Sequence, residues 1–199
     1  TKQIYSNDTQ AENTNSDTIT AIGSDGFTLG NRADVNNNSD TYVAWNWKAN
    51  GAGSANTDGY IASTVSVNTT SGFSIVSYTG NGSANTVGHG LGSAPGLIIV
   101  KNLTTSGRQW QILHHKNTAA PATQQLEFGT DGTATVTSQW NSVMPTASVF
   151  TIGTNDSTNK NGDSFIAYCF AEKQGYSKFG IYTGNANANG PFVYTGFKP

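Results

Sequence analysis

Charge is scarce in this chain. Only 11% of its 199 residues are Asp, Glu, Lys or Arg, and the formal net charge is −2, whereas an ordinary soluble domain is about 25% charged. The ten Lys and Arg residues are scattered, so no basic stripe is available to neutralise a row of phosphates. The composition therefore argues against nucleic acid as a partner.

Long apolar runs and paired cysteines are also missing. No stretch approaches the roughly 20 consecutive apolar residues of a membrane span, so no membrane partner is expected. Cys169 is the only cysteine and lies in the apolar run 165–170, which predicts an inert core thiol and no disulfide within the chain. A disulfide-free chain of this length fits a particle that is assembled in a reducing cytoplasm and later acts outside the cell.

The sequence motifs of common catalytic sites are absent as well. There is no Gly-x-Ser-x-Gly elbow and no His-Glu-x-x-His helix. The three glutamates could form a glycosidase pair only with arbitrarily chosen Asp partners. His89 lies in a Gly-rich segment that lacks the Lys-Ser/Thr of a phosphate loop, and it is interpreted as a turn residue. The chain is therefore predicted not to be an enzyme, and no catalytic residue is assigned.

The sequence does contain a series of short β-rich runs. Apolar residues do not follow helical spacing for more than a turn. Runs rich in Val, Ile, Thr and aromatic residues are instead separated by Asn-Gly, Asp-Gly and Gly-x-Gly turns, which is typical of a β-sandwich or jelly roll. The predicted strands are residues 41–47, 73–78, 96–101, 110–114, 126–128, 149–152, 165–170 and 179–182.

An internal repeat organises these runs. Phe27-Thr28-Leu29-Gly30 recurs 123 residues later as Phe150-Thr151-Ile152-Gly153, and Tyr78-Thr79-Gly80-Asn81 recurs 104 residues later as Tyr182-Thr183-Gly184-Asn185. The first offset also aligns the run 42–47 with 165–170, so Trp45 and Trp47 are expected in a core, as counterparts of Tyr168 and Phe170.

The repeat predicts an all-β chain of tandem antiparallel β-sandwich units of jelly-roll, lectin-like type, with one complete repeat flanked by two partial ones. Residues 1–50 form the closing part of a first unit, residues 51–58 a linker, residues 59–172 the complete unit and residues 173–199 the opening strands of a further unit. Three explanations stay open: the chain is a window on a longer array, or the opening strands complete residues 1–50 within one chain, or they do so between neighbouring subunits.

Four runs carry a resemblance to a known family. They are GFSIVSYTGNG (72–82), VGHGLGSAPGLIIVKN (87–102), IAYCFAE (166–172) and GPFVYTGFKP (190–199). They resemble a repeated, functionally uncharacterised domain of virion-associated and tail-fibre-like proteins of tailed phages, especially marine and cyanobacterial ones, with a concanavalin-type jelly roll. The resemblance implies a place on the surface of a virion, outside the cell, and a structural or receptor-contacting role. It brings no catalytic residues.

Two candidate sites come from the residues themselves. Trp110 and Trp140 lie outside the strongest repeat match and are predicted to stack on a glycan, with core packing as the alternative. Oxygen-bearing side chains at alternate positions resemble a calcium loop, although the bidentate Glu and the Gly of an EF-hand are missing and a tight turn is the alternative. These candidate ligands are Asp34, Asn36, Asn38 and Asp40. Beyond calcium, no cofactor is expected.

The function expected from these observations is that of a tail-fibre-like virion appendage that adheres to a host surface glycan or receptor. Its partners would be further copies of the chain, other virion proteins and cell-surface carbohydrate. A capsid or tail decoration protein without receptor binding is one alternative. A bacterial surface adhesin, or a filament subunit completed by head-to-tail strand addition, is another.

Overall fold

Almost all regular structure in this protein is antiparallel β-strand. The computed structural model describes residues 1–129 and 134–198, and none of the helices in these residues is long and apolar enough to cross a membrane. In chain order the elements are β1 (Lys2–Gln3), β2 (Asn13–Thr14), β3 (Ile19–Ile22), β4 (Phe27–Leu29), α1 (Ala33–Asn36), β5 (Ser54–Asn56), β6 (Ser63–Asn68), β7 (Phe73–Thr79), β8 (Asn85–Gly88), β9 (Leu97–Asn102), β10 (Gln111–His114), a 3-10 turn (Pro121–Thr123), β11 (Gln124–Glu127), β12 (Ala134–Thr135), β13 (Val149–Ile152), α2 (Asp156–Asn159) and β14 (Ser164–Phe170).

An eight-stranded antiparallel sheet forms the body of the molecule. Its strand order is β12-β11-β10-β9-β14-β7-β6-β5. β14 lies between β7 and β9 and pairs with β7 from Ser164–Thr79 to Phe170–Phe73. Alternate residues of a strand point to opposite faces, and Phe165, Ala167 and Cys169 on the inner face of β14 are fully buried.

A two-stranded sheet, β8 with β13, covers the inner face. The Tyr78 ring of β7 links the two layers, because it stacks on Phe165 at 5.2 Å and contacts Phe150 of β13 at 6.1 Å. Burial raises the pKa of the Cys169 thiol in this core to about 12, as expected for an inert core cysteine. The other large apolar residues of the core are Ile61, Val65, Val76, Val87, Leu91, Ile98, Val100, Leu113, Trp140 and Ile152.

The outer face of the main sheet is only half covered. Ile75, Ile99, Tyr168 and Phe170 lie on this face and are partly exposed. Irregular segments from the two ends of the chain cross it. The rings of Trp47 and Phe179 contact Phe170 at 6.2 and 6.1 Å, respectively.

The structure confirms most of the predicted strands and corrects two. Runs 73–78, 96–101, 110–114, 149–152 and 165–170 coincide with β7, β9, β10, β13 and β14, and 126–128 overlaps β11. Residues 41–47 and 179–182 form no strand. Trp45 and Trp47 are accordingly exposed by 79% and 53%, rather than buried as expected. Both segments have strand-like sequences but lack a neighbouring strand to bond with, and a strand without a partner is not stable.

The region between the repeats contains a strand of the main sheet. The predicted linker 51–58 contains β5, the edge strand that pairs with β6 from Ser54–Val65 to Asn56–Ser63. Ser, Asn and Thr residues hide the alternation of apolar and polar residues in β5 and β6, so the sequence does not indicate these strands. The pairing of β6 with β7 shows that β6 belongs to the main sheet.

Candidate functional site

The two tryptophans predicted to bind a glycan are buried. Trp110 is 6% exposed, and its Nε1 donates to the Tyr5 carbonyl at 2.7 Å. Trp140 is 0% exposed and belongs to the core. A ring must present a free face to stack on a sugar. The burial of both rings therefore corrects the expectation that they form a surface platform, and packing accounts for both residues.

Three of the four predicted calcium ligands make side-chain contacts with neighbouring protein groups. Asp34 Oδ2 accepts from Arg32 Nε at 2.7 Å, and Asn36 presents its Nδ2 to the Gly30 carbonyl at 2.7 Å. Asp40 Oδ2 accepts from Asn37 Nδ2 at 2.9 Å, while Asn38 lies in an exposed turn. No group of three His, Cys, Asp or Glu side chains within the described ranges could hold a metal ion. The geometry is that of a turn stabilised by amide and ion-pair contacts.

The repeat counterparts of these residues fasten loops together. Asn159, which is fully buried, donates to the carbonyls of Ser83 and Gly153 at 2.6 and 2.7 Å. Asp163 Oδ2 accepts from Asn102 and Thr105 at 2.8 and 2.7 Å. Burial opposes ionisation of Asp163, but these bonds and the nearby Lys160 lower its pKa overall. Asn159 therefore holds the β7–β8 loop against the α2 turn, and Asp163 holds the end of β9 and the loop that follows it.

A polar cleft lies where the N-terminal segment folds back on itself. It has a volume of about 440 Å³. The buried Asn13 Oδ1 at its wall has no hydrogen-bond partner among the described residues. Trp110 holds the backbone of the lining residue Tyr5 through its bond to the Tyr5 carbonyl. The lining residues are Gln3, Tyr5, Asn7, Asp8, Gln10, Asn13, Thr14, Asn15 and Arg32. One aromatic ring among amide and carboxylate groups is suited to a small polar ligand such as a sugar.

Sequence reasoning missed this cleft for a physical reason. The residues come from β1, β2 and the irregular chain around them, and no spacing in such a polar segment signals convergence. The polar composition alone could have pointed to it, but the same composition occurs throughout the chain.

The α1 turn of the N-terminal region reproduces the α2 turn of the central region. α1 and α2 are both four residues long and lie 123 residues apart. The bond from Asn36 Nδ2 to the Gly30 carbonyl, at 2.7 Å, has its counterpart in Asn159 Nδ2 to Gly153, also at 2.7 Å. A Cβ on Gly30 would lie 2.2 Å from the Asp17 carbonyl oxygen, and one on Gly153 would lie 2.0 Å from that of Ser138.

The C-terminal region likewise reproduces the loop that follows β7. Asn81 Oδ1 accepts from the backbone of Ser83 at 3.0 Å, and Asn185 Oδ1 accepts from that of Asn187 at 3.1 Å. Gly82 has a φ of 73°, and its counterpart Ala186 also has a positive φ, 52°. The local backbone is therefore repeated here, although no strand precedes it.

A family model describes the whole chain. A domain of unknown function (DUF7483) matches residues 1–199. The chain belongs to this family. No curated protein and no solved structure shows significant similarity to the DUF7483 chain. The evidence on what this DUF7483 domain does therefore comes from its own geometry.

Proposed function

We propose that this chain is a structural module of a phage virion appendage, of tail-fibre type, built from β units in series. The proposal rests on the observation that one β unit of the chain is complete and the flanking ones are not. Residues 59–172 contain the closed two-layer core, whereas residues 1–50 and 173–198 repeat two of its turns without a core of their own. Serial linkage is the natural use of such incomplete units.

We infer that the complete unit is a β-sandwich of jelly-roll type, with the main sheet as one layer and β8 with β13 as the other. The burial of Val87, Phe150 and Ile152 against Val76 and Phe165 supports this inference. The polar surface, with few charges, is consistent with a particle surface outside the cell.

The test is to locate the chain on particles. Purified virions should contain it by mass spectrometry, and a gold-labelled antibody should mark an appendage in electron micrographs. A regular lattice of label over the capsid or tail tube would favour a decoration protein instead. Label on bacterial cells without phage would favour an adhesin or filament subunit.

A second candidate function, contact with a host surface glycan, is favoured by the N-terminal cleft. Its amide groups can donate and accept hydrogen bonds with sugar hydroxyls, and Tyr5 supplies a ring to stack on. This role does not require the buried Trp110 and Trp140.

The glycan role is tested with a matched pair of tyrosine variants on a glycan array. Tyr5→Ala should weaken glycan binding at least tenfold. Tyr60→Ala should leave glycan binding unchanged, because Tyr60 is 79% exposed and lies outside the cleft. Equal loss in both variants, or no binding by the unaltered chain, would leave a purely structural role.

A further inference from the structure

The complete unit is closed by an interlock between two loops. The loop after β7 docks on the α2 turn, so that β7 and β14 are held side by side at this end. The backbone bonds are Gly80 N–H to Asp163, Gly82 N–H to Asn159 and Gly162 N–H to Gly80, each at 2.9 Å. Asn81 N–H adds a bond to Asn159 Oδ1 at 2.8 Å, and the Tyr78 hydroxyl adds one to the Thr158 carbonyl at 2.7 Å.

Both halves of a second interlock are present in the flanking regions. The repeat offsets place residues 33–43, called here the acceptor segment, in the role of α2 and the start of β14. They place residues 181–187, called here the donor segment, in the role of the end of β7 and its loop. Among residues 1–129 and 134–198, no hydrogen bond joins the two segments.

The backbone of both segments already has the interlock conformation. Ser39 has a φ of 67° where its counterpart Gly162 has 79°, and Ala186 has 52° where Gly82 has 73°. Residues with a side chain adopt this region at a cost of about 1–2 kcal/mol. The two segments are therefore shaped for a contact that they do not make within the chain.

We propose that the donor segment of one copy of the chain docks on the acceptor segment of a second copy. The pairing of β7 with β14 gives the register: Thr183 opposite Thr41, Tyr182 opposite Tyr42 and Ile181 opposite Val43. Asn36 then takes the part of Asn159, accepting from the backbone of Asn185 and donating to the carbonyl of Asn187. This inference rests on the proposed role as a serial module and names its partner.

Exposed apolar side chains supply the driving force. Val43 is 83% exposed, Ile181 67% and Tyr182 71%, and burying such side chains releases about 25 cal/mol per Å² of apolar surface. The donor segment has no charged residue, and the acceptor segment has only Asp34 and Asp40. Docking therefore brings no like charges together and adds main-chain bonds in the manner of strand addition.

The attachment points lie close together in one chain. The donor segment follows Phe179, whose backbone bonds to Glu172 and His115 and whose ring contacts Phe170 at 6.1 Å. The acceptor segment ends four residues before Trp47, whose ring contacts the same Phe170 at 6.2 Å. Although both segments are tethered to this part of the main sheet, no hydrogen bond joins them among the described residues, and the contact is therefore assigned to a second copy.

A donor segment on one copy and an acceptor segment on the next give a head-to-tail contact. Such an interface uses two different surfaces, so each added copy leaves one donor and one acceptor free. Copies would therefore add in series.

Paired cysteines test the register. Thr41→Cys with Thr183→Cys places thiols on opposed residues, within the distance that a disulfide requires. Mild oxidation should give a ladder of dimers and higher oligomers on a non-reducing gel, and a mixture of the two single variants should give a heterodimer. Cys169 is buried, with its pKa raised to about 12, and does not interfere. The control is Thr41→Cys with Asn189→Cys, which is exposed and outside the donor segment.

Each outcome decides. A ladder in the opposed pair and not in the control supports the proposal. A disulfide within one chain, equal cross-linking in both pairs, or none at all overturns it. In sedimentation, Tyr182→Ala should weaken association at least tenfold, whereas Tyr176→Ala, 60% exposed and outside the donor segment, should not. If the chain is monomeric but is found on particles, this inference is wrong and the proposed function is supported. If a ladder forms but the chain is not found on particles, the inference is supported and the proposed function is wrong.

Discussion

The central region and the flanking regions of this chain carry the same turns in different surroundings. The fully buried Asn159 side chain bonds to three partners, whereas the exposed Asn36 side chain keeps, among the described residues, only its bond to the Gly30 carbonyl. Phe165 is 0% exposed, whereas its counterpart Tyr42 is 48% exposed. The comparison shows that local sequence is sufficient to form the turn, while the strand and the core also require a partner.

The largest expected difference between the regions is in the aromatic residue after each turn. Phe165→Ala should lower the free energy of unfolding by about 4 kcal/mol, since it leaves a cavity in the core. Tyr42→Ala should lower it by less than about 1 kcal/mol in the monomer, since little packing is lost. Urea unfolding at low protein concentration measures both, and equal losses would show that the flanking region is packed as tightly as the centre.

A smaller difference is expected in the asparagine pair. Asn159→Ala should cost about 3 kcal/mol, because it leaves the backbone groups of Asn81, Ser83 and Gly153 without their partner. Asn36→Ala should cost about 0.5 kcal/mol or less, as surface changes usually do. If Asn36→Ala were as costly as Asn159→Ala in dilute solution, the acceptor segment would already be closed in the monomer.

The smallest effect concerns a titratable group of the central region. His89 is buried, Leu91 N–H donates to its Nδ1, and Nε2 lies 3.2 Å from the Thr146 carbonyl, so the neutral Nε2–H form fits. Burial lowers the pKa of His89, and the bond to Thr146 opposes this only in part. Just below pH 6.5 the unfolded chain binds more protons at His89 than the folded chain does. Stability should therefore fall as the pH drops through that value, and level off below the pKa of His89 in the folded chain.

Urea midpoints measured between pH 7.5 and 5 check this expectation. His89→Gln should remove roughly half or more of the pH dependence, because Gln can donate and accept without titrating. His114→Gln is the control. Burial and the neighbouring His115 lower the pKa of His114 too, but this side chain is partly exposed, so most of the pH dependence should remain. A larger loss of pH dependence in His114→Gln than in His89→Gln would contradict the assignment of this titration to His89.

The sequence predicts the fold class and most central strands because their apolar alternation and Gly-rich turns are local signals. β14 and β7 are recognisable in this way, and so is the buried Cys169. Residues 41–47 carry an equally good strand pattern, yet they form none, since hydrogen bonding to a neighbour is not encoded in a strand's own sequence. β5 and β6 are missed for the converse reason: their Ser, Asn and Thr residues resemble a linker.

The candidate sites were harder to predict than the strands. The residues next to Trp110 and Trp140 in the sequence do not indicate whether these rings are buried or exposed. The structure shows that both are buried. Oxygen-bearing side chains at alternate positions fit either a cation-binding loop or a turn, and the two are distinguished by where the side-chain amides point in the structure. These residues are Asp34, Asn36, Asn38 and Asp40. The N-terminal cleft depends on chain folding over Trp110, which no local pattern announces.

The close approach at Gly30 and Gly153 has a consequence for recognising these units in other sequences. The carbonyl oxygen of an upstream residue occupies the space where a Cβ would be, in the closed unit and in the open one alike. A glycine is thus obligatory whether or not the unit has found its partner. The glycine of the signature Phe-Thr-Leu/Ile-Gly should therefore be required in open and closed units alike, and counting it gives the number of closing parts in a chain.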